Sequence, residues 1–238
     1  MADFSYPTGT AKKLPLALLV FFSALLYSQI QPPPPKVPGS PGGPPVTANR
    51  TKLRDGRHLA YLESGVPKEQ AKYKIIFVHG FFCCRYDVLN VSQGLLQELG
   101  IYLLSFDRPG YCESDAHPAR TEESIAVDIV ELADNLQLGP RFHLMGFSMG
   151  GEIMWSCLKH IPHSPLQPGN PFAGVGDDVK VHLWHGVEDL FVPVALSRHI
   201  SKRLPWVIYH ELPTAGHLFP VADGMPDVIV KSLLLGDG

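Results

Sequence analysis

The residue of this sequence with the clearest chemical potential is Ser148, which lies in the stretch GFSMG at 146–150. Glycines on both sides of a serine permit a tight turn between a strand and a helix, and such a turn exposes the hydroxyl above a sheet. A hydroxyl held in this way can attack an acyl carbon when a base activates it. The same residues also occur in an ordinary glycine-rich turn with a capping serine, so the pattern needs partners elsewhere in the chain.

Two further residues have the types and positions that such a serine needs. Asp189 follows the apolar run KVHLWHG at 180–186, and His217 follows the run WVIYHEL at 206–212. A serine nucleophile requires a histidine base and a carboxylate that orients it. In a parallel sheet these residues lie just past the strands, in the chain order serine, aspartate, histidine. Each residue alone has an ordinary alternative in a turn or on the surface, but all three in this order are improbable by chance.

An acyl-transfer site also needs donors for the negative charge that develops on the substrate oxygen. The N–H of Phe81 follows the apolar run KIIFVHG at 74–80, and the N–H of Met149 comes directly after the serine. Both positions suit an oxyanion hole, in which two backbone N–H groups point at one oxygen. We therefore predict Phe81 and Met149 as the oxyanion-hole residues.

The elements that must position these residues alternate between strands and helices. A hairpin is predicted around Asp55-Gly56. Short apolar runs follow at 74–80, 101–106, 141–146, 180–186 and 206–212. Such runs are typical of parallel strands covered on both sides, and Thr121 is predicted to cap a helix that begins with Glu122 and Glu123. The pattern predicts an α/β fold with a mostly parallel sheet flanked by helices.

The composition limits the class of protein. The chain has 238 residues, 45% of them hydrophobic, so it can form one sizeable core, and a second full domain is not expected. A net charge of -3 and a pI of about 6.4 give no sign of a nucleic-acid partner. Four cysteines without a CxxC pair predict neither a disulfide framework nor a structural zinc site. No metal and no cofactor are expected, and the oligomeric state is left open.

The N-terminal part is predicted to be separate from this core. Lys12-Lys13 precede an apolar run at 14–27, which is shorter than the roughly 20 residues of a span but fits the apolar part of a signal peptide. Since no convincing cleavage site follows, we interpret 1–30 as an uncleaved signal-anchor that makes the protein membrane-associated and single-pass in the secretory pathway. The alternatives, in order, are a cleaved signal peptide with secretion, a transit peptide and a buried core helix.

The composition changes again after this segment. Proline and glycine dominate residues 31–50, which predicts an extended linker. The pattern of strands and helices begins after it, so the folded domain is predicted at 51–238.

Five motifs along this domain make a specific pattern. They are HGFF at 79–82, DRPGYCESD at 107–115, GFSMGG at 146–151, HGVEDLFVP at 185–193 and AGHLF at 215–219. With these motifs the sequence resembles the α/β-hydrolase fold family, close to plant members that have an N-terminal hydrophobic segment.

The resemblance implies a role for each site residue. Ser148 is implied as the nucleophile, His217 as the general base and then the general acid, and Asp189 as the carboxylate that orients His217. Epoxide hydrolases and dehalogenases of this fold carry an aspartate at the position of this serine, in the strand-to-helix turn that we call the elbow. The serine therefore favours ester-type acyl transfer. The implied function is a serine hydrolase of carboxylesterase or lipase type, which acts on a small ester-like substrate through an acyl-enzyme. A lyase of the hydroxynitrile type shares the same triad and stays open.

One departure from the family pattern is Cys112. Members usually have a glycine there, the second one of D-R-P-G-Y-G-x-S-D. If the backbone at this position has a positive φ, the cysteine costs about 1 kcal/mol of stability.

The larger departure is the short interval between Ser148 and Asp189. The family normally places a further strand, a further helix and often a helical cap in this interval. Here one helix is predicted to about Ile161, and the proline- and glycine-rich segment 162–178 then supports neither a helix nor a central strand. The fold is therefore predicted to be truncated between the nucleophile strand and the acid strand, with the cap missing near 162–178.

Two arrangements of the sheet are compatible with this truncation. The acid strand can pair directly beside the nucleophile strand, or a gap of roughly 4.8 Å can leave two unpaired edges. Since a misplacement of about 1 Å can cost about 100-fold in rate, the alternative function is a catalytically impaired isoform with a binding or regulatory role. A small-molecule sensor is a third hypothesis, although it needs an enclosed cavity that a missing cap does not provide.

Overall fold

The computed structural model describes residues 9–31, 36–161 and 179–236. The chain divides between Pro44 and Pro45 into two units, an N-terminal unit and the domain that carries the predicted site. Part of the predicted anchor at 1–8, part of the predicted linker at 32–35 and the position of the missing cap at 162–178 lie outside the described residues.

The N-terminal apolar run lies in helix α1, Gly9–Ile30, which includes Pro15. Large apolar side chains along this helix are exposed, among them Leu14, Phe21 and Leu26. Within the described residues, no helix is both long enough and apolar enough to cross a membrane. This finding gives no support to the single-pass signal-anchor predicted for 1–30, which stays a prediction.

Five strands form the larger of two sheets. They are β1 (Asn49–Lys52), β2 (His58–Gly65), β3 (Tyr73–Val78), β4 (Ile101–Phe106) and β5 (His143–Gly146). Their order is β1-β2-β4-β3-β5, and β3 runs parallel to both β4 and β5. β1 and β2 form the antiparallel hairpin predicted around Asp55-Gly56, and Gly56 adopts a φ of 94° in its turn.

Helices connect and cover the strands. After α1 they are α2 (Gln93–Leu99), α3 (Glu122–Asn135), α4 (Met149–His160), α5 (Val194–Arg203) and α6 (Met225–Leu235). Thr121 caps α3 as predicted, since its side chain accepts a hydrogen bond of 3.1 Å from the N–H of Ser124. Glu122 and Glu123 lie in the first turn of α3, where the helix dipole favours negative charge.

The side chains of β3 alternate between two apolar clusters, one on each face of the sheet. Ile76 packs in a cluster with Ile129 of α3, whereas Phe77 packs in the other with Leu95 of α2 and Ile229 of α6. Because helices cover both faces, the central strands need no polar side, which explains their continuous apolar sequences. The predicted α/β fold, with a mostly parallel sheet flanked by helices, is confirmed.

The remaining strands, β6 (Val181–Gly186) and β7 (Val207–Leu212), pair in parallel in a separate two-stranded sheet. Among the strands of the described ranges, no hydrogen-bonded ladder joins β6 to β5. Every residue of β5 is half-buried, whereas every residue of β4 is buried. The described residues therefore do not adopt the arrangement in which the acid strand pairs directly beside the nucleophile strand. The sheet is divided at the place where the sequence predicted the truncation.

Cys112 lies in the loop after β4 with an exposed side chain and a φ of 40°. This backbone conformation brings the Cβ of an L-residue close to the following carbonyl oxygen, and glycine avoids the contact. The position is thus one that favours the glycine of the family pattern.

We expect Cys112→Gly to raise the free energy of unfolding by about 1 kcal/mol, because it removes the Cβ from a left-handed position. Cys112→Ala is the matched control, since it removes the thiol and keeps the Cβ, and it should change stability by less than about 0.5 kcal/mol. Urea unfolding followed by circular dichroism measures both variants. Equal stabilities would show that the backbone at this position carries no such strain.

Candidate active site

The three residues predicted to act together lie at the carboxyl ends of three strands. Ser148 follows β5, Asp189 follows β6 and His217 follows β7. The Nε2 of His217 lies 3.0 Å from the Oγ of Ser148. Its Nδ1 lies 2.7 Å from the Oδ2 of Asp189. The structure thus brings together all three residues, although β5 belongs to one sheet and β6 and β7 to the other.

Ser148 has a strained backbone, with a φ of 54° and a ψ of -121°. Non-glycine residues persist in such conformations only where their surroundings determine them strongly, and functional sites are common examples. The surroundings here leave no room for side chains on the flanking glycines. A Cβ on Gly146 would lie 2.2 Å from the carbonyl oxygen of Gly150, and a Cβ on Gly150 would lie 2.0 Å from that of Val78. This close packing presents the serine hydroxyl at the start of α4.

Asp189 is held by two hydrogen bonds made within one short loop and by a third with His217. Its Oδ1 accepts hydrogen bonds from the N–H of Phe191 at 2.8 Å and from the N–H of Val192 at 2.9 Å, which leaves Oδ2 free to face His217. Burial would raise the pKa of Asp189, but the bonds from Val192, His217 and Phe191 outweigh it and hold the pKa below its ordinary value. The carboxylate is therefore ionised at neutral pH and can orient a histidine.

The predicted oxyanion-hole donors lie on either side of the serine. A Cβ built on Gly80 would be 3.3 Å from the Cβ of Ser148, so the loop after β3 passes next to the hydroxyl. Met149 is the first residue of α4, and its N–H is one of the first-turn groups that a helix cannot pair internally. Within the described residues, neither its N–H nor that of Phe81 donates a hydrogen bond to another protein group. Both are available to a developing oxyanion.

Arg108 and His79 hold this loop in place. The buried guanidinium of Arg108 donates to the carbonyl of Gly80 at 2.8 Å, and its backbone N–H donates to the Nε2 of His79 at 3.1 Å. Because Nε2 accepts, the proton of the neutral ring lies on Nδ1, which donates to the Gly80 carbonyl at 2.8 Å. Burial lowers the pKa of His79 and thereby favours this neutral form. The DRPGY motif thus fixes the peptide that precedes Phe81.

Sequence reasoning missed a second support of the same loop, the pair Arg85 and Asp107. Asp107 is fully buried, and its two oxygens accept from the backbone N–H of Arg85 at 2.7 Å and from the Arg85 guanidinium at 2.5 Å. The N–H of Glu113 donates to the same carboxylate at 3.2 Å. The pair connects the loops that follow the adjacent strands β3 and β4. The only signal in the sequence is that two opposite charges follow neighbouring strands.

Cys84, Asp107 and Cys112 lie close enough together to approach one metal ion. Both oxygens of Asp107, however, already accept hydrogen bonds from Arg85. Burial raises the pKa of the Cys84 thiol to about 11 and also raises that of Cys112, so both thiols are protonated at neutral pH. A metal ion would have to displace the protons of both thiols and the hydrogen bonds of Asp107, so we assign no metal to this cluster.

Exposed apolar side chains adjoin the site residues in sequence, and one of them lies against the ring of His217. The ring of Phe191 lies 5.3 Å from the ring of His217 and is 80% exposed. Leu190, next to it, is 96% exposed, and Leu218 directly follows the histidine and is also exposed. On the oxyanion side, Phe82 is 90% exposed. We call these four residues, together with the exposed Phe81, the apolar rim.

The comparisons with known proteins agree with this architecture. Residues 73–164 match the family model described as the alpha/beta hydrolase fold. An esterase from Exiguobacterium antarcticum superposes with a TM-score of 0.62 at 17% identity, over 79% of this chain and 99% of that one. A thermophilic esterase from Thermogutta terrifontis gives a TM-score of 0.56 at 18% identity, over 78% and 96%. A predicted CIB-like hydrolase from Thermoplasma acidophilum gives 0.59 at 16% identity, over 80% and 98%. At such low identities, the likeness shows the fold alone.

We expect Gly150→Ala to lower the free energy of unfolding by about 2 kcal/mol or more, because its methyl group would collide with the carbonyl of Val78. Gly151→Ala is the matched control in the same turn of α4. A Cβ there meets only the carbonyl of Gly146 at 3.5 Å, so this variant should be neutral or gain up to about 1 kcal/mol from helix propensity. Urea unfolding of both variants measures the difference. A Gly150→Ala protein as stable as the control would contradict the packing described for the elbow.

Proposed function

This chain has the α/β-hydrolase fold, and on that premise we propose that it is a serine hydrolase of carboxylic esters, of carboxylesterase or lipase type. The observation that carries the proposal is the hydrogen-bonded series from Ser148 through His217 to Asp189, with distances of 3.0 Å and 2.7 Å. Glycosidases use two carboxyl groups, whereas this site has a serine, a histidine and a single carboxylate. Acyl transfer by these three residues requires no metal.

In the proposed first step, the Oγ of Ser148 attacks the ester carbonyl carbon while its proton passes to the Nε2 of His217. The new Oγ–carbon bond creates a tetrahedral oxyanion, which the N–H groups of Phe81 and Met149 would stabilise. When the intermediate collapses, the bond to the alcohol oxygen breaks, and His217 gives its proton to the departing alcohol. The acyl group then remains on Ser148.

In the second step, His217 takes a proton from water, and the hydroxide attacks the acyl-enzyme. The carbon–Oγ bond breaks, the proton returns to Ser148 and the carboxylic acid leaves. Asp189 does not accept a proton at any stage. It accepts the Nδ1–H bond of His217, which keeps Nε2 unprotonated in the resting site and stabilises the imidazolium that forms.

The apolar rim supports a substrate with an apolar acyl or alcohol group. Apolar side chains as exposed as Leu190 and Phe82 lose unfavourable contact with water when a hydrocarbon chain lies against them. Their neighbours in sequence are residues of the site, so a chain bonded to the reacting carbonyl would reach them. We therefore propose a small-molecule ester with an apolar chain as the substrate.

One observation favours a second candidate function, a catalytically impaired isoform with a binding or regulatory role. Within the described strands, no ladder joins β5, which leads to Ser148, to β6, which leads to Asp189. A site whose two halves are not joined by backbone hydrogen bonds can lose the alignment that catalysis requires. The two functions make opposite predictions for labelling and turnover.

We expect a fluorophosphonate probe to label the folded protein and Ser148→Ala to abolish the label, because only an activated serine reacts. Ser201→Ala, on α5, is the matched control and should be labelled like the wild type. Mass spectrometry of the labelled peptide identifies the site. Absence of label on the folded wild-type chain would exclude the enzyme and favour the impaired isoform.

We expect Leu190→Ser to lower the ratio of kcat/KM for p-nitrophenyl octanoate over p-nitrophenyl acetate by about three- to tenfold, which corresponds to losing part of the roughly 1.5–3 kcal/mol of a buried leucine. The acetate should be hydrolysed as before, since its acyl group is too short to reach the rim. Val127→Ser, an exposed apolar residue on α3, is the control. An unchanged ratio would show that the rim does not bind the acyl chain.

A further inference from the structure

His185 lies at the end of β6, beside Asp189, and the proposed chemistry does not use it. Its side chain is buried, and so is that of Ser197 on α5. The Nδ1 of His185 lies 2.7 Å from the Oγ of Ser197, and its Nε2 lies 3.0 Å from the carbonyl oxygen of Val192. The same Nε2 lies 3.5 Å from the Oδ2 of Asp189. Each nitrogen of a buried ring thus has a defined partner.

These partners determine which nitrogen of a neutral ring carries the proton. A carbonyl oxygen can only accept, so the Nε2 of His185 is the donor to Val192. Nδ1 then has a lone pair and accepts the hydroxyl proton of Ser197. The Nε2–H also faces the carboxylate of Asp189. The serine on α5 therefore selects the tautomer that directs a donor toward the acid loop.

His185 acts on Asp189 by two routes. The peptides around Val192 are held on both sides, since the N–H of Val192 donates to Asp189 Oδ1 and its carbonyl accepts from His185. This arrangement fixes the loop that supplies the N–H donors of the carboxylate. In addition, the Oδ2 that bonds His217 is the oxygen that the Nε2–H of His185 approaches. Both routes constrain how the carboxylate faces His217.

We propose that His185 is a positioning residue that sets the orientation of Asp189, with Ser197 fixing its tautomer. The inference rests on the proposed function, because the orientation matters only if His217 serves as a base. The need for such a residue follows from the divided sheet. Since no described ladder relates β6 to β5, no strand pairing sets the position of Asp189 relative to Ser148, and the local network of β6, α5 and the acid loop must contribute to it.

The test measures steady-state hydrolysis of p-nitrophenyl acetate by the full chain. We expect His185→Leu to lower kcat by about 10- to 100-fold, in line with a displacement of up to about 1 Å, and to change KM by less than about twofold because the substrate does not touch His185. His185→Gln, whose amide can donate from nearly the place of Nε2, should recover most of the lost kcat. Ser197→Ala should lower kcat by a smaller factor, because the tautomer is then no longer selected.

The matched controls are His199→Leu and His199→Gln. His199 lies on the exposed side of α5, so both variants should keep the wild-type kcat. If His185→Leu keeps kcat within about twofold of the wild type, or if His185→Gln loses as much kcat as His185→Leu, the positioning role is overturned. If His185→Leu does not fold, Ser197→Ala, which is the milder substitution, provides the test. An unaltered kcat in Ser197→Ala would then overturn the inference.

A second measurement does not depend on turnover and separates this inference from the proposed function. The proton of the His217 Nδ1–H bond to Asp189 should give a far-downfield proton NMR resonance, which His217→Ala removes. We expect this resonance to shift or broaden in His185→Leu and Ser197→Ala and to stay unchanged in His199→Leu. An inactive, unlabelled wild type with this response would refute the hydrolase and leave the positioning role intact. An unchanged resonance in both variants would refute the positioning role alone.

Discussion

His217 makes the two hydrogen bonds on which the site depends, because they connect strand ends that belong to two separate sheets. Its Nε2 reaches Ser148 at the end of β5, and its Nδ1 reaches Asp189 at the end of β6. In a continuous parallel sheet, backbone ladders set the distance between neighbouring strand ends. The described strands have no ladder between β5 and β6. Side-chain hydrogen bonds and the loops that carry them must therefore hold the nucleophile and the acid at a working distance.

Each half of the site is held firmly by its own network. On the nucleophile side, the close approach of Gly150 to the carbonyl of Val78 fixes the elbow, and the buried Arg108 and Asp107 fix the loops beside it. On the acid side, Asp189 and His185 share the peptides around Val192. Buried charge pairs and fully bonded polar groups resist displacement, since an unpaired partner would be costly. The residues within each half are thus firmly held in place. The alignment of the site can fail at the contact between the two halves.

This division explains why one geometry supports two functions. Hydrogen bonds of 3.0 Å and 2.7 Å are what a serine nucleophile and its base require, so the arrangement favours an esterase. A site divided between two sheets is also less well preorganised than a site on one continuous sheet, and electrostatic stabilisation of an oxyanion depends on preorganisation. The apolar rim bears on the proposed substrate, because exposed apolar side chains would gain binding energy from a hydrocarbon chain that lies against them.

Much of this protein was determined by its sequence. Glycines around Ser148, a capping residue at Thr121 and predominantly apolar strand segments act through local sterics, hydrogen bonding and burial, and these effects are readable from residue types and spacing. The order of Ser148, Asp189 and His217 after successive strands was likewise readable, and the structure brings them together. Only the tertiary structure decided that β6 pairs with β7 and not with β5, since strand partners depend on contacts between distant segments. It also decided the roles of Arg85 and His185, whose functions depend on which carboxylate lies beside them in space, and a residue type alone does not specify its neighbour.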